Sequence, residues 1–390
     1  MLPSVKYFQT EPVLYVLNRV RPAAQTNTLL CKVVSRHNAL SAYVCTRWCV
    51  PMLSLAGTGL QWLPLAKSLY LNFSLCFFLT MPDEAITQYI CEVTKPDDFD
   101  PFWEGILKTS SKLPLSETLE PLPLRSDETT EVFSIRYQSI DGVSISGWYS
   151  VPRKATGPLP ALLYVPGYIS DPPLQKSWAR LGYAVLSIGP RGKIRSHEQF
   201  NPGYPGLLVH NIIDRNTYGY RGFYVDALRA VDFLRNRPEI DNSRIGLFGS
   251  SQGGGLTIAT ASLRSDIRAA SAGAPYLCGY LDAVALTDSY PYEEIKDYLR
   301  LYPERRDQVA RTLAYFDGIN FAPNIECPII VNIGLQDNVC PPETGYALFR
   351  DIGSKEKTLY PYDRCGHDAG RNDHNRIVED FFNQHLTPGT

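Results

Sequence analysis

The sequence predicts an α/β fold, a mostly parallel sheet wound with helices on both of its faces. Apolar runs at Ala161 to Val165, Ala184 to Ile188, Arg244 to Phe248, Ile267 to Ala272 and Pro328 to Ile333 are separated by helical patterns. Those patterns lie near Leu174 to Leu181, Tyr218 to Arg235 and Gln252 to Leu263. Strands that alternate with helices form parallel sheets, and strands covered on both faces read as continuous apolar runs. The composition agrees, because 44% apolar and 20% charged residues are those of a globular domain. With 38 basic against 40 acidic residues the net charge is −2, which lacks the basic footprint of a nucleic-acid-binding protein.

The 390 residues exceed one average domain of about 150. Residues 1–80 show no sustained period and read as an N-terminal extension, and residues 81–390 as the α/β domain. An apolar tract from Met52 to Thr80 is split by Lys67 into pieces shorter than the roughly 20 residues of a membrane helix. Basic residues from Arg19 to Arg47 precede it, unlike the short charged start of a secretory signal. Met81 stands where ordered patterning begins, so translation is expected to be able to start there. From Pro96 to Trp103 the chain leads into a helix that ends near Lys112, and Ser116 to Asp127 reads as a Pro-rich linker or arm. Glu131 to Gln138 and Val143 to Val151 alternate apolar and polar residues across Asp141-Gly142, a hairpin signal. Cys278 to Phe316 reads as a helical insertion of the kind that forms lids or pocket walls. The nine cysteines are odd in number and unpaired in spacing, which predicts free thiols in a reducing compartment. Cys45 and Cys49 have no second pair at zinc-site spacing.

Gly249-Ser250-Ser251-Gln252-Gly253 matches Gly-x-Ser-x-Gly, with the apolar run Ile245 to Phe248 before it and a helical pattern after it. That setting is a nucleophile elbow, a strained strand-to-helix turn where glycines let neighbouring backbone approach. The other reading, a phosphate-binding turn at a helix N-terminus, has no Gly-x-Gly-x-x-Gly or Walker pattern behind it. A serine hydroxyl needs a base to take its proton and an acid to orient that base, so an Asp or Glu and then a His should follow. His367 comes just after the apolar run Thr358 to Tyr362, in a strand-end loop where catalytic groups collect. His374 and His385 fall in a helical pattern, His197 and His210 precede the serine, and His37 lies in the extension. For the acid, Asp337 stands three residues after the run Ile329 to Gly334, and is preferred to its rival Asp363, which suits a turn. The backbone N–H groups of Gln252 and of Tyr168, which ends the run Tyr164-Val-Pro-Gly-Tyr168, are the candidate oxyanion donors. A plain Pro-Gly turn would place Tyr168 in the same position.

At these residues the sequence resembles carbohydrate esterase family 7, the acetyl xylan esterases and cephalosporin C deacetylases of the α/β-hydrolase fold. The likeness runs from Met81 to about His385. It is carried by Asp97 to Trp103, Pro190-Arg-Gly192, Tyr220-Arg221, Asp226 to Asp232, Gly249 to Gly255, Pro275 to Cys278, Tyr315 to Pro323, Gly334 to Pro342 and Tyr360-Pro-Tyr362. The resemblance implies a triad of Ser251, Asp337 and His367 with the Tyr168 and Gln252 amides as the oxyanion hole. It also implies removal of acetyl and other small acyl groups from sugars or similar alcohols, in a cytoplasmic homo-oligomer that is often a hexamer. The family's Arg-Gly-Gln reads Arg191-Gly192-Lys193 here, and its His-Glu reads His367-Asp368. Lys193 brings a cation where a neutral amide is usual, which bears on oligomer contacts and preferred substrate.

No His-Glu-x-x-His or cysteine quartet is present, so neither a metal nor an organic cofactor is expected. Two alternatives share the fold, a broader carboxylesterase and a prolyl-oligopeptidase-like peptidase. Peptidases of that type usually bring a propeller domain, which the first 80 residues cannot supply. A non-catalytic binding protein of the same fold is the alternative of another class, and the triad residues in order weigh against it.

Overall fold

The computed structural model describes residues 29–33, 41–45 and 84–387, apart from 156 and 194. The chain divides after Leu79. In the first unit the described residues form β1 (Leu29–Val33) and β2 (Ser41–Cys45), which pair antiparallel with Leu29 opposite Cys45. The apolar tract from Met52, the start proposed at Met81, His37 and Cys49 lie outside the described residues.

In the second unit α1 (Phe99–Ser110) carries the aromatic segment seen in the sequence. Trp103 stacks on Tyr224 at 5.6 Å and donates its indole N–H to the Tyr315 carbonyl at 2.9 Å. Next come β3 (Thr118–Pro121), β4 (Thr130–Gln138) and β5 (Ser144–Pro152). Between β4 and β5 the chain reverses at Asp141 and Gly142, whose φ values of 62° and 71° fit the left-handed turn that a tight hairpin prefers. The segment expected to be a linker or arm contains β3, an edge strand whose Leu119 pairs with Ile135 of β4. It is four residues long, mostly exposed and ends at a proline, so it has no alternation to read; its backbone pairing with β4 and the packing of Leu119 against the core hold it.

The core then alternates: β6 (Leu159–Val165), α2 (Lys176–Arg180), β7 (Ala184–Gly189), α3 (Gly219–Arg235), β8 (Ile240–Ser250), α4 (Gln252–Leu263) and β9 (Ala269–Gly273). The insertion follows as α5 (Tyr280–Leu286), α6 (Tyr292–Leu301) and α7 (Arg306–Leu313). The chain closes with β10 (Ile329–Gly334), α8 (Pro342–Asp351), β11 (Lys357–Tyr362) and α9 (Arg371–Leu386). The nine strands lie in the order β11-β10-β9-β8-β6-β7-β5-β4-β3, with β6 to β11 parallel and the other three antiparallel. This is an α/β-hydrolase sheet. Leu162, Val185, Ala269 and Ile330 pack with Val378 and Phe382 of α9 on one face. Leu163, Leu186 and Leu247 join the larger core with α3 and α4 on the other.

The strand order reverses at β6, which has β7 on one side and β8 on the other. Loops leaving such a switch point diverge and open a crevice at the strands' C-terminal ends. The loop after β7 is fixed there by Arg191. Its guanidinium donates to Asp226 of α3 at 2.9 and 3.0 Å and to Asp141 of the hairpin turn at 3.1 Å. Gly222 makes room for it, since a Cβ there would overlap the guanidinium.

Arg191 and Asp226 are both buried, so removing one partner strands the other charge, at a cost of about 3–5 kcal/mol. Asp226→Ala is expected to lower stability by that amount. Asp141, half exposed, should lose less than about 1 kcal/mol on Asp141→Asn. Urea unfolding of both variants beside wild type checks the contrast, and equal losses would contradict it.

Candidate active site

The residue after β8 is Ser251, with φ 60° and ψ −122°, a strained conformation for a residue with a Cβ. The strain is imposed by packing. A Cβ on Gly249 would lie 2.6 Å from the Val165 carbonyl oxygen of β6, and a Cβ on Gly253 would overlap that same oxygen. Gly254 and Gly255 press in the same way against the backbone of Gly273 and Tyr276. The Ser251 backbone is then pinned by hydrogen bonds, its N–H to Gly273 O at 2.9 Å and its carbonyl from Tyr276 N at 3.0 Å. The turn thus projects the side chain at the switch point.

Gln252 is the first residue of α4, so its N–H has no carbonyl partner within the helix. Its side chain is buried and donates to the Tyr220 hydroxyl at 3.0 Å. Across the crevice, the end of β6 delivers Gly167 and Tyr168, and a Cβ on Gly167 would lie 3.8 Å from that of Ser251.

Asp337 and His367 come from neighbouring strands. The chain after β10 turns through Gly334 to Asp337, and a Cβ on Gly334 would overlap the Gly366 carbonyl, so the two loops pack backbone to backbone. Gln336 N–H to Cys365 O at 2.9 Å ties them together. Asp337 Oδ2 meets His367 Nδ1 at 2.9 Å, while Oδ1 accepts from the N–H groups of Val339 and Cys340 at 2.8 and 2.9 Å. The carboxylate is buried and the imidazole is one-third exposed, so the ring is braced at Nδ1 while part of it stays open to solvent. The rival Asp363 lies at the end of β11. His374 is buried in α9 against the Tyr362 hydroxyl at 2.9 Å, and His385 stands 3.2 Å from Glu356.

Asp337, Cys340 and His367 each offer one ligand atom within 4.8 Å of the others, a geometry that could hold a metal ion. The donor set is poor for one. Both carboxylate oxygens are already taken, and burial pushes the Cys340 thiol well above its usual range, keeping it protonated.

Two residues near the site were not anticipated from sequence in these roles. Glu294 of α6 accepts from the Tyr168 hydroxyl at 2.7 Å, from Gly206 N at 2.8 Å and from Leu208 N at 3.1 Å. Burial raises its carboxyl and also drives the Tyr168 phenol far above its usual range. The insertion therefore serves as a buttress for the loop after β6. Lys193, expected to affect oligomer contacts and substrate, turns inward instead: it is 4% exposed, with Nζ 2.7 Å from Gly167 O. No local pattern marks either contact, since the partners are 126 and 26 residues apart in sequence.

Residues 77–385 match the family model for acetyl xylan esterase. The acetyl xylan esterase of Paenibacillus sp. R4 is 34% identical, with 78% of this chain and 100% of that chain covered and a TM-score of 0.74. Acetyl xylan esterase 1 of Thermoanaerobacterium sp. JW/SL YS485 is 28% identical over 78% and 98% of the two chains, with a TM-score of 0.71. The acetyl esterase Axe7A of Xylanibacter ruminicola is 31% identical over 279 residues, which are 68% of this chain and 62% of that protein. The chain thus spans about three fifths of that curated relative. With this match across most of its length, the chain belongs to the acetyl xylan esterase family.

Proposed function

We propose that this protein is a serine esterase that removes acetyl and other small acyl groups from sugars or related alcohols through an acyl-serine intermediate. The observation that carries the reading is the strained Ser251 turn after β8, with the Asp337–His367 pair held by the loops after β10 and β11 at the same C-terminal end of the parallel strands. Its relatives among acetyl xylan esterases supply the substrate class.

In this reading His367 Nε2 takes the Ser251 hydroxyl proton as Oγ attacks the acetyl carbonyl carbon. The N–H groups of Tyr168 and Gln252 receive the oxyanion. Collapse breaks the bond to the alcohol, whose oxygen leaves with the proton from His367. Water then attacks the acetyl-serine under the same base, and acetate leaves as Ser251 regains its proton. Asp337 holds the imidazole with its proton on Nδ1, so that Nε2 is free to accept.

The proposed setting is the cytoplasm. Cys91, Cys278, Cys327, Cys340 and Cys365 are free thiols, as suits a reducing compartment, and among the described residues no helix is long and apolar enough to cross a membrane. The proposed state is a homo-oligomer, as the resemblance to the family implies. Sedimentation of the purified chain at one monomer mass would contradict it.

Ser251→Ala is expected to lower kcat toward p-nitrophenyl acetate by about 10⁶-fold. Wild type should prefer the two-carbon ester over those of four and eight carbons. Comparable turnover of all three would favour the broader carboxylesterase reading, and near-normal turnover by Ser251→Ala would remove the nucleophile.

Asp337→Asn tests the orienting role separately. Two backbone N–H groups fix an oxygen at the Oδ1 position, so the amide nitrogen of the variant falls opposite His367 Nδ1. That reverses the tautomer and leaves Nε2 protonated, and kcat should fall by about 10⁴-fold with little change in KM. Steady-state kinetics beside an unfolding curve check this, and a loss confined to KM would contradict it.

A further inference from the structure

We propose that Lys193 is a positioning residue for oxyanion stabilisation, holding and polarising the Gly167–Tyr168 peptide from the side opposite the reacting carbonyl. This rests on the esterase reading above and extends it to a side chain that never touches substrate.

The geometry is that of a single peptide unit. Lys193 Nζ donates to Gly167 O at 2.7 Å, and Ser170 N–H donates to the same oxygen at 3.3 Å. A trans peptide directs its C=O and N–H in opposite directions. Anchoring the Gly167 carbonyl on one side therefore aims the Tyr168 N–H away from Lys193, and a charged donor on the oxygen makes that N–H a stronger donor. The Tyr168 side chain is fixed independently by Glu294 and Leu208 N, so the peptide has little freedom to rotate.

Lys193 is itself held rigidly. It lies two residues after Arg191, whose buried pairing with Asp226 fixes the loop, and its N–H and carbonyl close a tight turn with Pro190 O and Ser196 N. The groups around its ammonium leave it poorly compensated. Asp171 acts on it from the loop after β6, and that carboxylate is taken by Arg195 at 2.9 Å. Tyr168 presents its ring face 5.4 Å away, Arg191 is balanced by Asp226 and Asp141, and Glu294 is engaged by the Tyr168 hydroxyl. Burial consequently lowers the Lys193 ammonium to about 7, against an ordinary 10.5.

The sign follows from that shift. Below pH 7 Lys193 is charged and assists the oxyanion; as pH rises through 7 the proton leaves and the assistance weakens. The wild-type kcat profile should therefore carry an alkaline decline of its own. Lys193→Gln keeps an N–H donor without charge, and Lys193→Met keeps neither.

The test is kcat and KM for p-nitrophenyl acetate from pH 5.5 to 9.5 in wild type and both variants. Matched unfolding temperatures and Ser251 titration with an active-site serine reagent accompany it. We expect kcat at pH 6.5 to fall about 10-fold in Lys193→Gln and about 10²-fold in Lys193→Met, the scale of a lost oxyanion donor, with KM nearly unchanged. Both variants should lack the alkaline decline. Unaltered kcat and profile in the variants, a loss confined to KM, or a lower kcat with the decline intact would each overturn the proposal. Absence of Ser251-dependent hydrolysis in wild type would instead bring down the esterase reading, and this inference with it.

Discussion

The architecture depends on how closely one carbonyl can approach a helix. The oxygen of Val165 at the end of β6 lies where a Cβ of Gly253 would be and 2.6 Å from one on Gly249. That approach lets β8 turn into α4 within a single residue, and Ser251 absorbs the turn at φ 60°. A side chain at either glycine would push α4 off β6 and lift the serine away from the crevice between the loops of β6, β10 and β11. The strain at Ser251 is tolerated because α4 is buried almost throughout and the serine's backbone is anchored to Gly273 of β9 and to Tyr276 in the loop after it.

Around that turn the molecule handles buried charge by three means. Arg191 is matched to a carboxylate that is as buried as itself, so its two long-range contacts act as a fixed strut between α3, the hairpin and the loop after β7. Asp337 is held by two backbone N–H groups as well as by the imidazole, an arrangement that fixes both of its oxygens. Lys193 has a carbonyl and a ring face in place of a carboxylate contact, and its charge is correspondingly depressed. Arg191 and Asp337 thus have matched partners, whereas Lys193, beside the Gly167–Tyr168 peptide, does not.

Much of this was legible in the sequence because the constraints were local. The elbow needs small residues within five positions, the hairpin needs Asp141-Gly142 between alternating runs, and the strand-end positions of Asp337 and His367 follow from the runs before them. The structure brings Asp337 and His367 into contact across 30 residues of chain, and sets Gly167, the residue before Tyr168, against the Ser251 turn. The rest depended on pairings between distant segments. Edge strand β3 is stabilised by the register of its partner and not by its own pattern, which is why a Pro-rich stretch reads as a linker. Glu294 lies in an acidic helix whose neighbours Glu293 and Asp297 face solvent-side cations, and nothing in that run distinguishes the one carboxylate that turns inward.

The inward turn of Glu294 gives the insertion a mechanical role. Its carboxylate holds the Tyr168 hydroxyl and the Gly206 and Leu208 amides together, so the segment between β7 and α3 and the loop after β6 are clamped from α6. Lys193 clamps the opposite end of the same residue's peptide from the loop after β7. Tyr168 is therefore held at its phenol by the insertion and at its preceding carbonyl by the sheet's own loop, two anchors with independent origins in the chain. In the proposed mechanism the Tyr168 N–H meets a charge that exists only in the transition state, and such a donor gains from double fixation, since reorganisation during the reaction would cancel part of the stabilisation.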